Sequence, residues 1–233
     1  MSITSCIASM WVIPEMTNKP HAILFDLDGT LLDTARDLGN ALNHVLAIHN
    51  QPPCEYSIYR NMASDGSKGL LDIGFGAKIQ DYNFAELRQQ FLDYYHQEIC
   101  VETEVFCGVG ELIQGLDSAN VPWGIVTNKP GWLTTKLLPH FSEFDNCQVV
   151  ISGDSFAQCK PYPLPLLGAA KSLNIIPEKI WYVGDAKRDI DAAKAANMLS
   201  VLASYGYIDT THQAHLWAAD LQVDHPTTLL RYI

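Results

Sequence analysis

The chain has 233 residues, with 15 Lys+Arg against 26 Asp+Glu and a formal charge of −11. That length suits one large domain or a core carrying a smaller module, and the charge repels nucleic-acid phosphates and anionic membranes alike. At 48% hydrophobic and 18% charged residues it is too apolar for disorder, yet it has no apolar run long enough to span a bilayer.

Residues 1–18 contain no Lys or Arg, so no secretory signal is expected there and they read as an N-terminal extension. Six cysteines without a Cys-x-x-Cys pair read as reduced thiols, which points to a cytoplasmic protein. The run His21-Ala-Ile-Leu-Phe25 is short and continuously apolar, the pattern of a buried strand that delivers polar residues into a loop. Some 90 residues without strand-like alternation follow, far more than a crossover needs. Within them Leu38, Ala41, Leu42, Val45, Leu46 and His49 share one helical face, as do Phe84, Leu87, Phe91, Tyr94/Tyr95 and Ile99. The spacing predicts a small helical module over residues 33–104, broken by Pro52-Pro53 and by Gly66, Gly69, Gly74 and Gly76.

Gly108 and Gly110 mark the return to the core and read as a helix start, not a dinucleotide loop. Apolar runs at 123–126, 148–152, 179–183 and 199–203 then alternate with helix-length segments at 130–140, 163–173 and 189–197, before a short edge strand at 221–223. This alternation predicts an α/β fold: a doubly wound parallel sheet, Rossmann-like, formed by residues 19–32 and 105–233, with the helical module inserted.

Asp26-Leu27-Asp28-Gly29-Thr30 places two carboxylates on the same side of an extended segment, at the strand end where open α/β sheets bind ligands. Such a pair repels itself unless a cation bridges it or one member is protonated, and alone it reads equally as a solvated Asp-Gly turn. Thr127-Asn128 alone would be a helix cap, and Lys160 alone a solvated loop lysine. Asp65-Gly66-Ser67-Lys68-Gly69 lacks the spacing of a nucleotide phosphate loop and reads as a loop of the helical module. Lys187 and Arg188 read as a solvated first helical turn, and His212 and His215 as surface residues.

In order along the chain, Asp26-x-Asp28-Gly29-Thr30, Thr127-Asn128, Lys160-Pro161 and Gly184-Asp185-x-x-x-Asp189 resemble the four motifs of haloacid dehalogenase superfamily phosphatases. The resemblance covers the chain from Pro20 onward and implies a Mg2+-dependent hydrolase acting on a small-molecule phosphate ester. It implies Asp26 as nucleophile, Asp28 as acid and base, and Thr127, Asn128 and Lys160 as phosphate contacts. The implied metal ligands are the carboxylates of Asp26 and Asp185 and the Asp28 main-chain carbonyl, with Asp189 acting through a water. Trp123-Gly-Ile-Val-Thr-Asn-Lys-Pro130 and Ser204-Tyr-Gly-Tyr-Ile208 further resemble the phosphoglycolate phosphatase group, most of all its branch acting on N-acetylmuramic acid 6-phosphate. The resemblance makes the helical module over 33–104 a helical cap and the 65–69 segment a cap loop facing the site, with Arg60, Ser64, Asp65, Ser67 and Lys68 as its expected substrate-reading residues. A phosphosugar mutase and a catalytically silent sugar-phosphate binder are the alternatives from other classes; isomerised product would mark the first, and release of phosphate would exclude the second.

Overall fold

The computed structural model describes residues 19–208 and 212–233; the N-terminal extension lies outside the described residues. Six parallel strands form one sheet in the order β5-β4-β1-β6-β7-β8: β1 (Ala22–Phe25), β4 (Trp123–Val126), β5 (Val149–Ile151), β6 (Ile180–Gly184), β7 (Leu199–Ala203) and β8 (Leu221–Val223). The apolar runs are continuous because both faces are covered. Ile23 and Phe25 of β1, with Trp181 and Val183 of β6, point into one core with Leu112 and Leu116 of α5 (Val109–Ser118). Ala22, Leu24, Ile180 and Tyr182 point into the other, against α7 (Leu164–Leu173) and α8 (Lys187–Ala195). A shorter α6 (Gly131–Leu137) follows β4.

Between β1 and β4 the chain leaves and re-enters through two strands of two residues each, β2 (Leu32–Asp33) and β3 (Glu104–Val105), paired antiparallel. This corrects the expectation of a strand-free insertion: two residues carry no period that a sequence pattern could display. The insertion itself is helical, with α1 (Ala35–Ile48), α2 (Tyr56–Tyr59), α3 (Gly66–Phe75) and α4 (Phe84–Gln97). The apolar stripe of α1 packs with Leu87, Phe91, Leu92 and Tyr95 of α4 in the first core. Asn83 caps α4, its side chain accepting from Ala85 N–H at 3.1 Å. The segment read as a cap loop at 65–69 is in fact the entry to α3, preceded by a 3-10 turn over Arg60–Asp65. No helix among the described residues is long and apolar enough to cross a membrane.

Candidate active site

The sheet order reverses at β1, whose neighbours β4 and β6 send their connections to opposite faces, and the crevice opened at their carboxyl ends is where such sheets bind ligands. Asp26 follows β1, Thr127 follows β4 and Asp185 follows β6, so the sequence motifs meet there. Gly29 lets them meet closely: its φ is +84°, and a Cβ on it would lie 2.2 Å from Asp185 Oδ2.

Lys160 is fully buried, with its ammonium 2.8 Å from Asp26 Oδ1 and 2.8 Å from Asp189 Oδ1. It also donates to Tyr182 Oη at 2.7 Å, and that hydroxyl donates to Val126 O at 2.8 Å. Asn128 fixes the main chain of Lys160 from both sides, its Nδ2 donating to Lys160 O at 2.9 Å and its Oδ1 accepting from Lys160 N–H at 3.0 Å. The Asn128 amide is therefore committed to placing Lys160, although the residue also lines the cleft. Thr127 is buried in the cleft wall, where its Oγ1 accepts from Lys129 N–H at 3.1 Å.

Asp26, Asp185 and Asp189 offer oxygens within 4.8 Å of one another, all buried. Asp185 Oδ2 accepts from Ser64 Oγ at 2.7 Å and Tyr207 N–H at 2.9 Å, whereas its Oδ1 is buried without a hydrogen-bond partner. Burial, then the neighbouring Asp189 and Asp26, push Asp185 up to about 7 against those two hydrogen bonds. Asp26 is pushed up to about 6, chiefly by burial, with Lys160 opposing and Asp189 adding to it. A cluster of carboxylates with one orphaned oxygen fits a hard divalent cation, and an oxygen-only donor set suits Mg2+.

Asp28 lines the cleft, with Oδ1 accepting from Thr34 Oγ1 at 2.6 Å and paired with the Lys129 ammonium at 3.0 Å. The cleft, about 340 Å3, runs from these residues to the cap, where Ser64, Asp65, Ser67 and Lys68 line it. The Lys68 side chain is 77% exposed and paired with Asp72 at 2.9 Å. Arg60 is not a lining residue: its Nη2 donates to Gly206 O at 3.2 Å and its guanidinium stacks 5.1 Å from the Tyr207 ring centre. Arg188 corrects another expectation. Lys187 is solvent-facing and paired with Asp191, but Arg188 turns inward to line the cleft, pairs with Asp65 at 3.0 Å and donates to Ser64 O.

Sequence alone does not single out Lys129, Tyr182, Arg88 or Tyr95. Lys129 directly follows the Thr127-Asn128 pair, which is the one local hint. Arg88, Phe91, Leu92 and Tyr95 share one face of α4 at helical spacing, but only the fold turns that face into the cleft.

Such a sheet and site define an α/β enzyme fold with a buried, cation-compatible carboxylate centre beside a helical insertion. Residues 23–203 match the model of the haloacid dehalogenase-like hydrolases, and the chain belongs to that family. It is 40% identical over 210 residues to a phosphoglycolate phosphatase of Xanthomonas campestris pv. campestris, covering 90% of this chain and 95% of that one. An N-acetylmuramic acid 6-phosphate phosphatase of Pseudomonas aeruginosa is 34% identical over 209 residues, covering 90% and 92%. The crystal structure of a predicted phosphoglycolate phosphatase from Haemophilus somnus 129pt superposes with a TM-score of 0.81 at 26% identity, covering 92% of this chain and 98% of that one. The protein is thus an enzyme, a phosphatase of the haloacid dehalogenase type.

Proposed function

We propose that the protein is a Mg2+-dependent phosphomonoesterase that works through an aspartyl phosphate on Asp26, with N-acetylmuramic acid 6-phosphate as its substrate. The observation that carries the chemistry is the buried Asp26–Lys160 pair at 2.8 Å in the wall of the cleft. Asp26 Oδ1 is held by Lys160 and by Leu27 N–H at 2.8 Å, which leaves Oδ2 to attack. As the Oδ2–phosphorus bond forms, the bond from phosphorus to the sugar oxygen breaks and Asp28 gives that oxygen a proton. Asp28 then takes a proton from the water that attacks the aspartyl phosphate, releasing phosphate and restoring Asp26. Lys160 offsets the negative charge shared by Asp26 and the phosphoryl group. Asp26, Asp185 and Asp189 would hold Mg2+, which when bound supplies further charge neutralisation for the phosphoryl oxygens.

The cap end of the cleft supports a sugar acid. Phe91, Leu92 and Tyr95 give an apolar wall, and Arg88 on the same helix face has no acidic partner among the described residues. Arg88 therefore suits the lactyl carboxylate better than Lys68, whose ammonium is engaged by Asp72. The 40% identical relative supports a second reading, phosphoglycolate, whose carboxylate lies near phosphorus, toward the Tyr95 end of α4 beside Lys129 and Asp28 and away from Arg88, seven residues earlier on the helix. Steady-state kinetics decides between them. The muramic substrate should show the higher kcat/KM, and Arg88→Ala should lower it about tenfold, roughly one charge-assisted hydrogen bond, with little change for 2-phosphoglycolate. A wild-type preference for 2-phosphoglycolate replaces the first reading with the second.

A further inference from the structure

We infer that Lys129 is a positioning residue that aims the Asp28 carboxyl group, and that Tyr95 of the cap in turn sets Lys129. The inference rests on the proposed acid and base role of Asp28. Lys129 is 7% exposed, and its Nζ lies 3.0 Å from Asp28 Oδ1. The same ammonium donates to Tyr95 Oη at 3.1 Å and lies 4.5 Å from the centre of the Tyr95 ring, which adds a cation–π contact. Thr34 Oγ1 donates to the same Asp28 oxygen at 2.6 Å.

Two donors therefore converge on Oδ1, and among the described residues neither a hydrogen bond nor an ion pair reaches Oδ2. Both grips fall on one oxygen, which leaves the other without a protein partner among the described residues, in a side chain that lines the cleft. Removing Lys129 would leave Thr34 as the only grip, about which the group can turn. A buried ammonium is costly unless its pairing is good, and an apolar side chain of similar size would fill the same space without that cost. An ammonium is explained here by what it holds. The four groups come from four segments: Asp28 from the turn after β1, Thr34 from the entry to α1, Lys129 from the turn after β4 and Tyr95 from α4. The aim of the proton donor thus depends on where the cap helix sits.

The test is a series of substituted phenyl phosphates with leaving groups of graded basicity, read as the slope of log kcat/KM against leaving-group pKa. This ratio reports the step in which the leaving oxygen needs its proton, and a fold defect would lower all members alike without changing the slope. Lys129→Met and Tyr95→Phe should both steepen the slope, Lys129→Met losing about tenfold more on phenyl phosphate than on 4-nitrophenyl phosphate, a fraction of what acid catalysis supplies. Lys129→Arg should restore part of it. Tyr95→Phe, which keeps the ring, decides the matter if Lys129→Met does not fold. Parallel loss across the series, or a change in KM alone, overturns the inference. If Asp28→Asn itself leaves the slope unchanged, the acid role fails; if Asp28→Asn steepens it while the other two variants do not, only the inference fails.

Discussion

The oxygens of Asp26, Asp185 and Asp189 crowd within 4.8 Å, and Lys160 reaches only the first and last of these carboxylates. Burial and this crowding raise Asp185 to about 7 and Asp26 to about 6. A raised carboxyl value means that the folded protein binds more protons than the unfolded chain from about pH 4 up to these values, so without a cation stability falls as pH rises through that window. A cation needs the deprotonated groups and binds only the folded state. The gain in Tm on adding Mg2+ to EDTA-treated protein should therefore be larger at about pH 8 than at about pH 5.5, where protons compete for Asp26 and Asp185. Asp26→Asn should abolish turnover, raise the Mg2+-free Tm at the higher pH and shrink the Mg2+ gain. Scanning calorimetry checks all three temperatures, and a gain independent of pH would contradict the assignment.

Where the cap joins the core, single side chains stand in for longer strands. Asp37, in the first turn of α1, is 2% exposed and takes Val101 N–H at 3.0 Å, Glu102 N–H at 3.0 Å, Thr103 N–H at 2.9 Å and Thr103 Oγ1 at 2.6 Å. It thereby fastens the returning chain beside the two-residue pair of β2 and β3. Tyr207 does the same for the outgoing chain, its hydroxyl accepting from Thr34 N–H at 2.6 Å and Ala35 N–H at 3.0 Å. Asp37→Asn keeps the shape but turns a donor toward N–H groups, so it should cost about 2–3 kcal/mol, measured as a lower urea midpoint. An unchanged midpoint would show that the junction holds without Asp37. None of this was legible beforehand. The helices that Asp37 and Tyr207 secure show as periods of apolar residues, but the anchors are single polar residues whose partners lie 64 to 173 positions away.

Across the whole molecule, the parallel sheet was readable because strands covered on both faces are written as unbroken apolar runs, from Ala22–Phe25 to Leu199–Ala203. Three of the four motifs were readable because they stand directly at the ends of β1, β4 and β6, whereas Lys160 lies nine residues beyond the end of β5 and was readable only from the company of the other three. The cap's docking was not, because it depends on side chains that meet only in three dimensions. Ser64 bonds Asp185, Arg188 holds Asp65 and the Ser64 carbonyl, and Arg60 holds Gly206. These contacts seat one end of the cap directly on a carboxylate of the site, where closure would exclude bulk water from the proposed aspartyl phosphate. Arg188 is the member that bridges two partners with one planar fork, and a lysine there keeps the charge but not the fork. Arg188→Lys should therefore loosen the 60–65 turn, seen as faster amide hydrogen exchange in that segment, and lower kcat/KM about tenfold. Its effect on Tm should be small, since Asp65 is 52% exposed and such pairs contribute little to stability. Unaltered exchange together with unaltered kcat/KM would mean that Ser64 and Arg60 suffice to seat the cap.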